Sequence, residues 1–250
     1  MKIVAKTDIG NQRNENQDNY RAGRQPDETV WALVCDGMGG AQGGKLASGI
    51  ASATMEELFA ANIDTIKNPE DMKDFIFSSI KSSNERIHQK SMQSVTERGM
   101  GTTLVCAVMR DNLIQYAHVG DSRAYLYRDG TLLQLTRDHS MVQQLIEEGR
   151  ITEEEATTHP NKNLITRALG VSPSVEVDYG EAYLAAHDII LLCTDGLTNY
   201  VTDDEIAYTL ENTQFYDTAD VLVQQALDGG GLDNVTVLLV EAEPLEDTRG

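Results

Sequence analysis

Two stretches of this 250-residue chain share one design, an apolar strand-like run that stops abruptly at Asp-Gly. The first is Val30-Trp31-Ala32-Leu33-Val34-Cys35, followed by Asp36-Gly37. The second is Ile189-Ile190-Leu191-Leu192-Cys193-Thr194, followed by Asp195-Gly196. A carboxylate at the end of a buried strand is costly to desolvate unless positive charge meets it. The glycine lets the backbone turn sharply and lets a carbonyl approach a ligand. Two further aspartates stand in comparable places. Asp233 follows the Gly229-Gly230-Gly231 run and opens Asn234-Val235-Thr236-Val237, and Asp18 closes Arg13-Asn14-Glu15-Asn16-Gln17.

Any single Asp-Gly can be a plain turn. If sheets bring Asp36, Asp195 and Asp233 together, their like charges require a counter-charge. No histidine or cysteine cluster with zinc spacing accompanies them, and no loop has the ligand spacing of an EF-hand. An all-oxygen site selects a hard cation, magnesium or manganese.

The charge balance bears on partners. Forty acidic against 20 basic side chains leave a formal charge of -20. That field repels nucleic acid and anionic lipid, and it disfavours a phosphorylated substrate unless cations reverse the sign locally. Cys35, Cys106 and Cys193 each lie in an apolar run, which argues for reduced thiols in a cytoplasmic protein. No run approaches the roughly 18 apolar residues of a membrane helix, so membrane insertion is not expected.

Strands are expected near 2–9, 30–35, 101–109, 112–119, 122–129, 175–184, 188–193 and 234–241. Residues 101–136 read as a meander with turns at 110–112, Gly120-Asp121 and Asp129-Gly130. Helical periodicity covers 44–61 and 70–92, and two more helices are expected over 203–212 and 217–228. The polar segment from 140 or 145 to 172 reads as an inserted flap. These elements suggest an α+β fold of antiparallel sheets covered by helices, in one domain over 1–243 with a short tail at 244–250.

The ordered pieces TDIGNQRNENQDNY, CDGMGG, GMGTT, VGDSRAYLYRDG, LTRDHS, LITRALG, LLCTDGL and GGGLDNVTVLLV span residues 7–240. Together they resemble the PPM family, the type 2C metal-dependent serine/threonine protein phosphatases, and most closely its bacterial cytosolic branch. The resemblance implies a four-layer α-β-β-α sandwich with a dinuclear Mn2+ or Mg2+ site at one end. It implies that Asp36 bridges both ions, with the Gly37 carbonyl, Asp195 and Asp233 as further ligands. Asp18 would act on metal-bound water or as a ligand, Asp121 with Asp195 would hold a third, weaker ion, and Arg13 would grip the substrate phosphate. Water or hydroxide shared by the ions would attack phosphorus directly. Phosphorylated serine/threonine proteins and a cognate serine/threonine kinase are the implied partners of a monomeric enzyme in bacterial signalling.

Two positions depart from many relatives. Met38 stands where a histidine proposed to protonate the leaving group is common, and Gln17 stands where glutamate is frequent, which would weaken the second ion. His139 is a candidate acid, although a hydrogen-bonded structural histidine is the favoured reading; Arg167 is a candidate anchor of the flap to the core. A two-metal hydrolase of nucleotides or small phosphoesters, and a catalytically dead binding module, are the alternatives. The presence of Asp36, Asp195 and Asp233 weighs against the second.

Overall fold

The computed structural model describes residues 1–243, apart from the side chains of 40–42, so the expected tail at 244–250 lies outside the described residues. Two five-stranded antiparallel sheets form the centre. In the first, β1 (Lys2–Asp8) pairs with β12 (Val235–Glu241), followed by β11 (Ile189–Cys193), β8 (Arg123–Arg128) and β9 (Thr131–Gln134). The second runs from β10 (Asp178–Tyr183) through β7 (Leu113–Val119), β6 (Leu104–Arg110) and β3 (Val30–Cys35) to β2 (Asn19–Arg24). A two-stranded ladder joins β4 (Gly37–Met38) to β5 (Gly101–Thr102).

Strand β3 reads as an unbroken apolar run because both of its faces are buried. Side chains alternate along a strand. Val30, Ala32 and Val34 therefore face the other sheet, packing with Ile190, Leu192, Leu238 and Val240. Trp31, Leu33 and Cys35 face the helix pair α1 (Gly40–Asn62) and α2 (Pro69–Ser91), against Met55, Phe59, Ile76 and Ile80. On the opposite side, Leu191, Cys193, Val237 and Leu239 lie under Ile206 and Leu210 of α6 (Asp203–Asn212) and Leu222 and Val223 of α7 (Phe215–Asp228). The result is the helix-sheet-sheet-helix layering that the sequence led us to expect.

Helix boundaries have local causes. The Asn68 side chain accepts a hydrogen bond from the Asp71 N–H at 2.9 Å, and Pro69 occupies the first helical position of α2. Thr202 and Glu205 form a reciprocal capping box that opens α6. Strand β2 escaped the sequence reading. It is a half-buried edge strand of mixed polarity, and a Cβ on its Gly23 would lie 2.6 Å from the Trp31 ring.

One expectation is corrected. Gly120-Asp121 is not a hairpin turn within a meander, because β7 belongs to the second sheet and β8 to the first. The Gly120-Asp121-Ser122 link crosses between sheets. Gly120 has φ +109, and a Cβ there would lie 2.6 Å from Thr103 Cγ2. Only glycine combines that backbone with that proximity.

The polar segment after Ser140 carries α3 (Met141–Glu147) and α4 (Glu153–Thr157). It returns to the core through bridges between Ser140 and Ile165 and between Thr102 and Leu169. None of the described helices is long and apolar enough to cross a membrane.

Candidate metal centre

The strand ends at one edge of the sandwich open into a cleft of about 690 Å³. Arg13, Asp36, Gly37, Asp121, Asp195 and Asp233 all line it, with Asn163 and Ile165 contributed from the flap side. Asp18 lies behind the wall, nearly inaccessible to solvent. The sequence-predicted residues therefore converge from five separate stretches of chain.

Asp36 and Asp195 are held by hydrogen bonds at the ends of their strands. The Asp36 N–H donates to Thr103 Oγ1 at 2.9 Å, and its carbonyl accepts from the Thr103 N–H and the Thr102 hydroxyl. Asp195 opens a short helix, α5 (Asp195–Thr198), and accepts from Asn199 Nδ2 at 3.0 Å. A Cβ on the following Gly196 would lie 1.9 Å from the Asn234 carbonyl oxygen. That close approach explains the glycine after Asp195. The glycine after Asp36 has a similar cause: a Cβ on Gly37 would lie 2.2 Å from the Gly44 carbonyl oxygen on α1.

Asn234 ties the site together. Its side-chain nitrogen donates to the carbonyls of Ile9 and Glu15, and its side-chain oxygen accepts from the Gln17 N–H at 2.8 Å. Asn234 thus staples the loop bearing Arg13 and Asp18 to the strand that follows Asp233. The hydroxyls of Thr194 and Thr236 donate to Asp18 Oδ2 at 2.9 and 2.7 Å. Sequence reasoning missed Asn234, Thr194, Thr236 and Thr103. They are small polar residues at strand ends, and only their partners across the sandwich reveal them.

The electrostatics call for cations. Burial pushes the Asp18 carboxyl up to about 7, against the threonine hydrogen bonds, with the charges of Asp195 and Asp233 adding to the rise. Burial likewise raises Asp36 well above the usual carboxylate range, reinforced by Asp18, Asp195, Asp121 and Asp233. Asp195 is raised by burial and by Asp233, and Asp121 is pushed up to about 8 by burial and Asp195. The buried Oδ1 atoms of Asp18 and Asp195 have no hydrogen-bond partner. Buried carboxylate oxygens of this kind need a donor or a metal. Carboxylates and a backbone carbonyl form a donor set suited to hard divalent cations. The residues present fit such ions.

The chain as a whole is similar to known proteins. A family pattern described as Protein phosphatase 2C matches residues 10–229. The chain belongs to the protein phosphatase 2C family. It is similar to the serine/threonine phosphatase stp of Listeria monocytogenes, with 38% identity over 250 residues, covering 100% of this chain and 99% of the relative. The serine/threonine phosphatase structure from S. agalactiae superposes with a TM-score of 0.91 at 36% identity, covering 97% of this chain and 99% of that one. The catalytic domain of the phosphatase PstP, solved in complex with two manganese ions, matches at 35% identity and a TM-score of 0.85, covering 97% and 98%. This type 2C chain is accordingly a metal-dependent protein serine/threonine phosphatase, and its substrates are phosphoproteins.

Within this phosphatase the histidines lie apart from the cleft. His139 is buried and does not line it, so it does not serve as the candidate acid raised from the sequence. Its Nδ1 accepts from the Gly120 N–H at 3.1 Å. His118 stacks on it with ring centroids 4.6 Å apart. Arg167 reaches Asp178 at 2.7 Å, anchoring the flap's return limb to β10.

Proposed function

We propose that Asp36, the Gly37 carbonyl, Asp195 and Asp233 hold two core divalent cations, Mn2+ or Mg2+. Asp18 supports them from behind, and Asp121 with Asp195 holds a third, weaker ion. The observation that carries this reading is the set of buried carboxylates that raise one another's proton affinity around two unpartnered oxygens. Two such ions supply Lewis acidity, lowering the pKa of water and offsetting phosphate charge in an in-line displacement.

The chain's own residues do the rest. Arg13 lines the cleft and presents a planar guanidinium suited to two phosphate oxygens. Its charge, added to that of the ions, would offset the carboxylates that line the cleft. Met38 also lines the cleft and has no proton to give, and among the described residues no histidine lines it; water is the proton source this reading assigns to the leaving oxygen. Asn234 and the two threonines keep the carboxylates in place without adding charge. Residues 1–243 act as the phosphatase domain, with the segment after Ser140 as a flap over the substrate. Phosphothreonine and phosphoserine proteins, a cognate kinase among them, are the substrates of a monomeric cytoplasmic enzyme.

Turnover of a phosphothreonine peptide and of a nucleotide should be compared in chelator and with added Mn2+. The reading expects Mn2+-dependent hydrolysis that favours the peptide. Equal activity with and without metal, or preference for the nucleotide, would overturn it.

A further inference from the structure

We propose that His139 is a positioning residue for Asp121, acting through Gly120. Its ring and its backbone hold the two peptide groups that flank Gly120, and so fix the direction in which Asp121 enters the cleft. The proposal rests on Asp121 being an ion ligand, as argued above.

The contact is reciprocal. The Gly120 N–H donates to His139 Nδ1 at 3.1 Å, and the His139 N–H donates to the Gly120 carbonyl at 2.9 Å. The first bond holds the peptide before Gly120 and the second the peptide after it. A glycine with φ +109 in an inter-sheet crossover has more backbone freedom than any other residue. With both flanking peptides tied, that freedom is removed where the direction of Asp121 is set.

His139 is itself fixed from several sides. Its Nδ1 is the acceptor, so the neutral ring carries its proton on Nε2, which faces Asp178 Oδ2 at 3.3 Å. Burial and the neighbouring His118 push its pKa down to about 4, in keeping with a neutral ring. His118 stacks on the ring and is anchored to the Arg137 carbonyl at 2.7 Å. Asp138, next in sequence, is gripped by Arg123 of β8 at 2.8 Å. The His139 carbonyl accepts from the Thr166 N–H at 2.7 Å, so the flap's return limb rests on the same residue.

A metal site at this cluster is the competing reading. Donor atoms of His118, His139 and Asp178 lie within 4.8 Å of one another. The Arg167 guanidinium, however, sits 3.2 Å from His139 Nε2 and 2.7 Å from Asp178 Oδ1. A cation already occupies the position a metal would need, and stacked rings do not aim two nitrogens at one ion.

The test is Mn2+ binding by calorimetry, read alongside kcat, on Asp121→Asn, His139→Gln, His139→Asn and the Asp121→Asn/His139→Gln double variant. Asp121→Asn should lose the weakest Mn2+ equivalent and leave the tighter ones. His139→Gln lacks an acceptor at the Nδ1 position and should weaken that same equivalent on the order of 10-fold. His139→Asn keeps an acceptor there and should retain most of the binding. The double variant should be no worse than Asp121→Asn alone. Loss of the ion in Asp121→Asn but wild-type binding in His139→Gln overturns the positioning role, as do losses that multiply in the double variant. Wild-type binding in Asp121→Asn instead overturns the ligand role of Asp121. If His139→Gln does not fold, Asp178→Ala, at a half-exposed carboxylate, should show the same change in smaller measure; unchanged binding there overturns the proposal.

Discussion

Arg13 and Asp233, 220 positions apart in the chain, meet in a 2.7 Å ion pair at the mouth of the acidic cleft. One partner is the proposed phosphate-binding arginine, the other a proposed ion ligand. Substrate binding and metal binding therefore share a contact. The guanidinium stays exposed to solvent and also feels the charges of Asp36 and Asp195.

Replacing Arg13 separates the two roles. Arg13→Ala should lower kcat/KM for a phosphopeptide on the order of 10²-fold, the scale seen when one preorganised donor to a reacting phosphate or oxyanion is removed. The same change frees Asp233 and removes a competing cation, so Mn2+ affinity should stay the same or tighten. Steady-state kinetics and calorimetry on one preparation check both. A parallel loss of Mn2+ affinity would show that Arg13 acts by holding Asp233.

Asp36 and Asp195 lie where burial and neighbouring carboxylates oppose ionisation. Asp36→Asn and Asp195→Asn are nearly isosteric and remove a charge the metal-free protein holds at a cost. Each should abolish Mn2+-dependent hydrolysis while the chelated protein keeps a circular dichroism spectrum like the wild type and unfolds at an equal or higher temperature. Full activity in either variant would defeat the assignment.

Metal removal should make stability depend on pH in a defined direction. Asp18 rises from 3.8 to about 7 and Asp121 from 3.8 to about 8 on folding. A carboxyl whose folded pKa exceeds its unfolded value contributes stability below the unfolded value and loses it as pH climbs through the folded one. Between about pH 4 and pH 8 the folded state thus binds more protons than the unfolded state. In chelator, the unfolding temperature should fall by on the order of 5 °C or more from pH 5 to pH 8. Saturating Mn2+ should reverse that fall, because the ion replaces the protons. A flat profile in chelator would mean that these carboxylates are less buried than the cleft implies.

How much of this was legible beforehand follows from what each residue depends on. Strands β3 and β11 announce themselves because both faces are buried, and the Asp-Gly steps mark where those strands leave the core. Strand β2 is an edge of mixed sequence, Asn-Tyr-Arg-Ala-Gly-Arg, and its pairing with β3 is set by Gly23 making room for Trp31. The turn at Asp129-Gly130 is local chemistry and was readable, with both residues at positive φ. Gly120-Asp121 has similar turn chemistry but crosses between sheets, a choice made by tertiary packing against Thr103. The acidic residues of the centre were visible as a pattern. Asn234, Thr194 and Thr236 were not, since their roles exist only once distant strands are paired.

The flap supplies the last expectation. Ile165 lines the cleft beside Asn163, and its backbone bridges to Ser140, so it stands at the rim on a tethered limb rather than on the flap's outer arc. A small aryl phosphate can reach the carboxylates and Arg13 without touching that rim, whereas a phosphopeptide must lay its flanking residues across it. Ile165→Ala should therefore raise KM for a phosphothreonine peptide by about 10-fold, within the roughly 1–3 kcal/mol of a modest change in an apolar contact. The kinetics of p-nitrophenyl phosphate should hardly change. Measuring both substrates at saturating Mn2+ separates the cases. An equal loss on the two would place Ile165 in support of the metal centre, and no loss on either would remove the flap's inner limb from substrate choice.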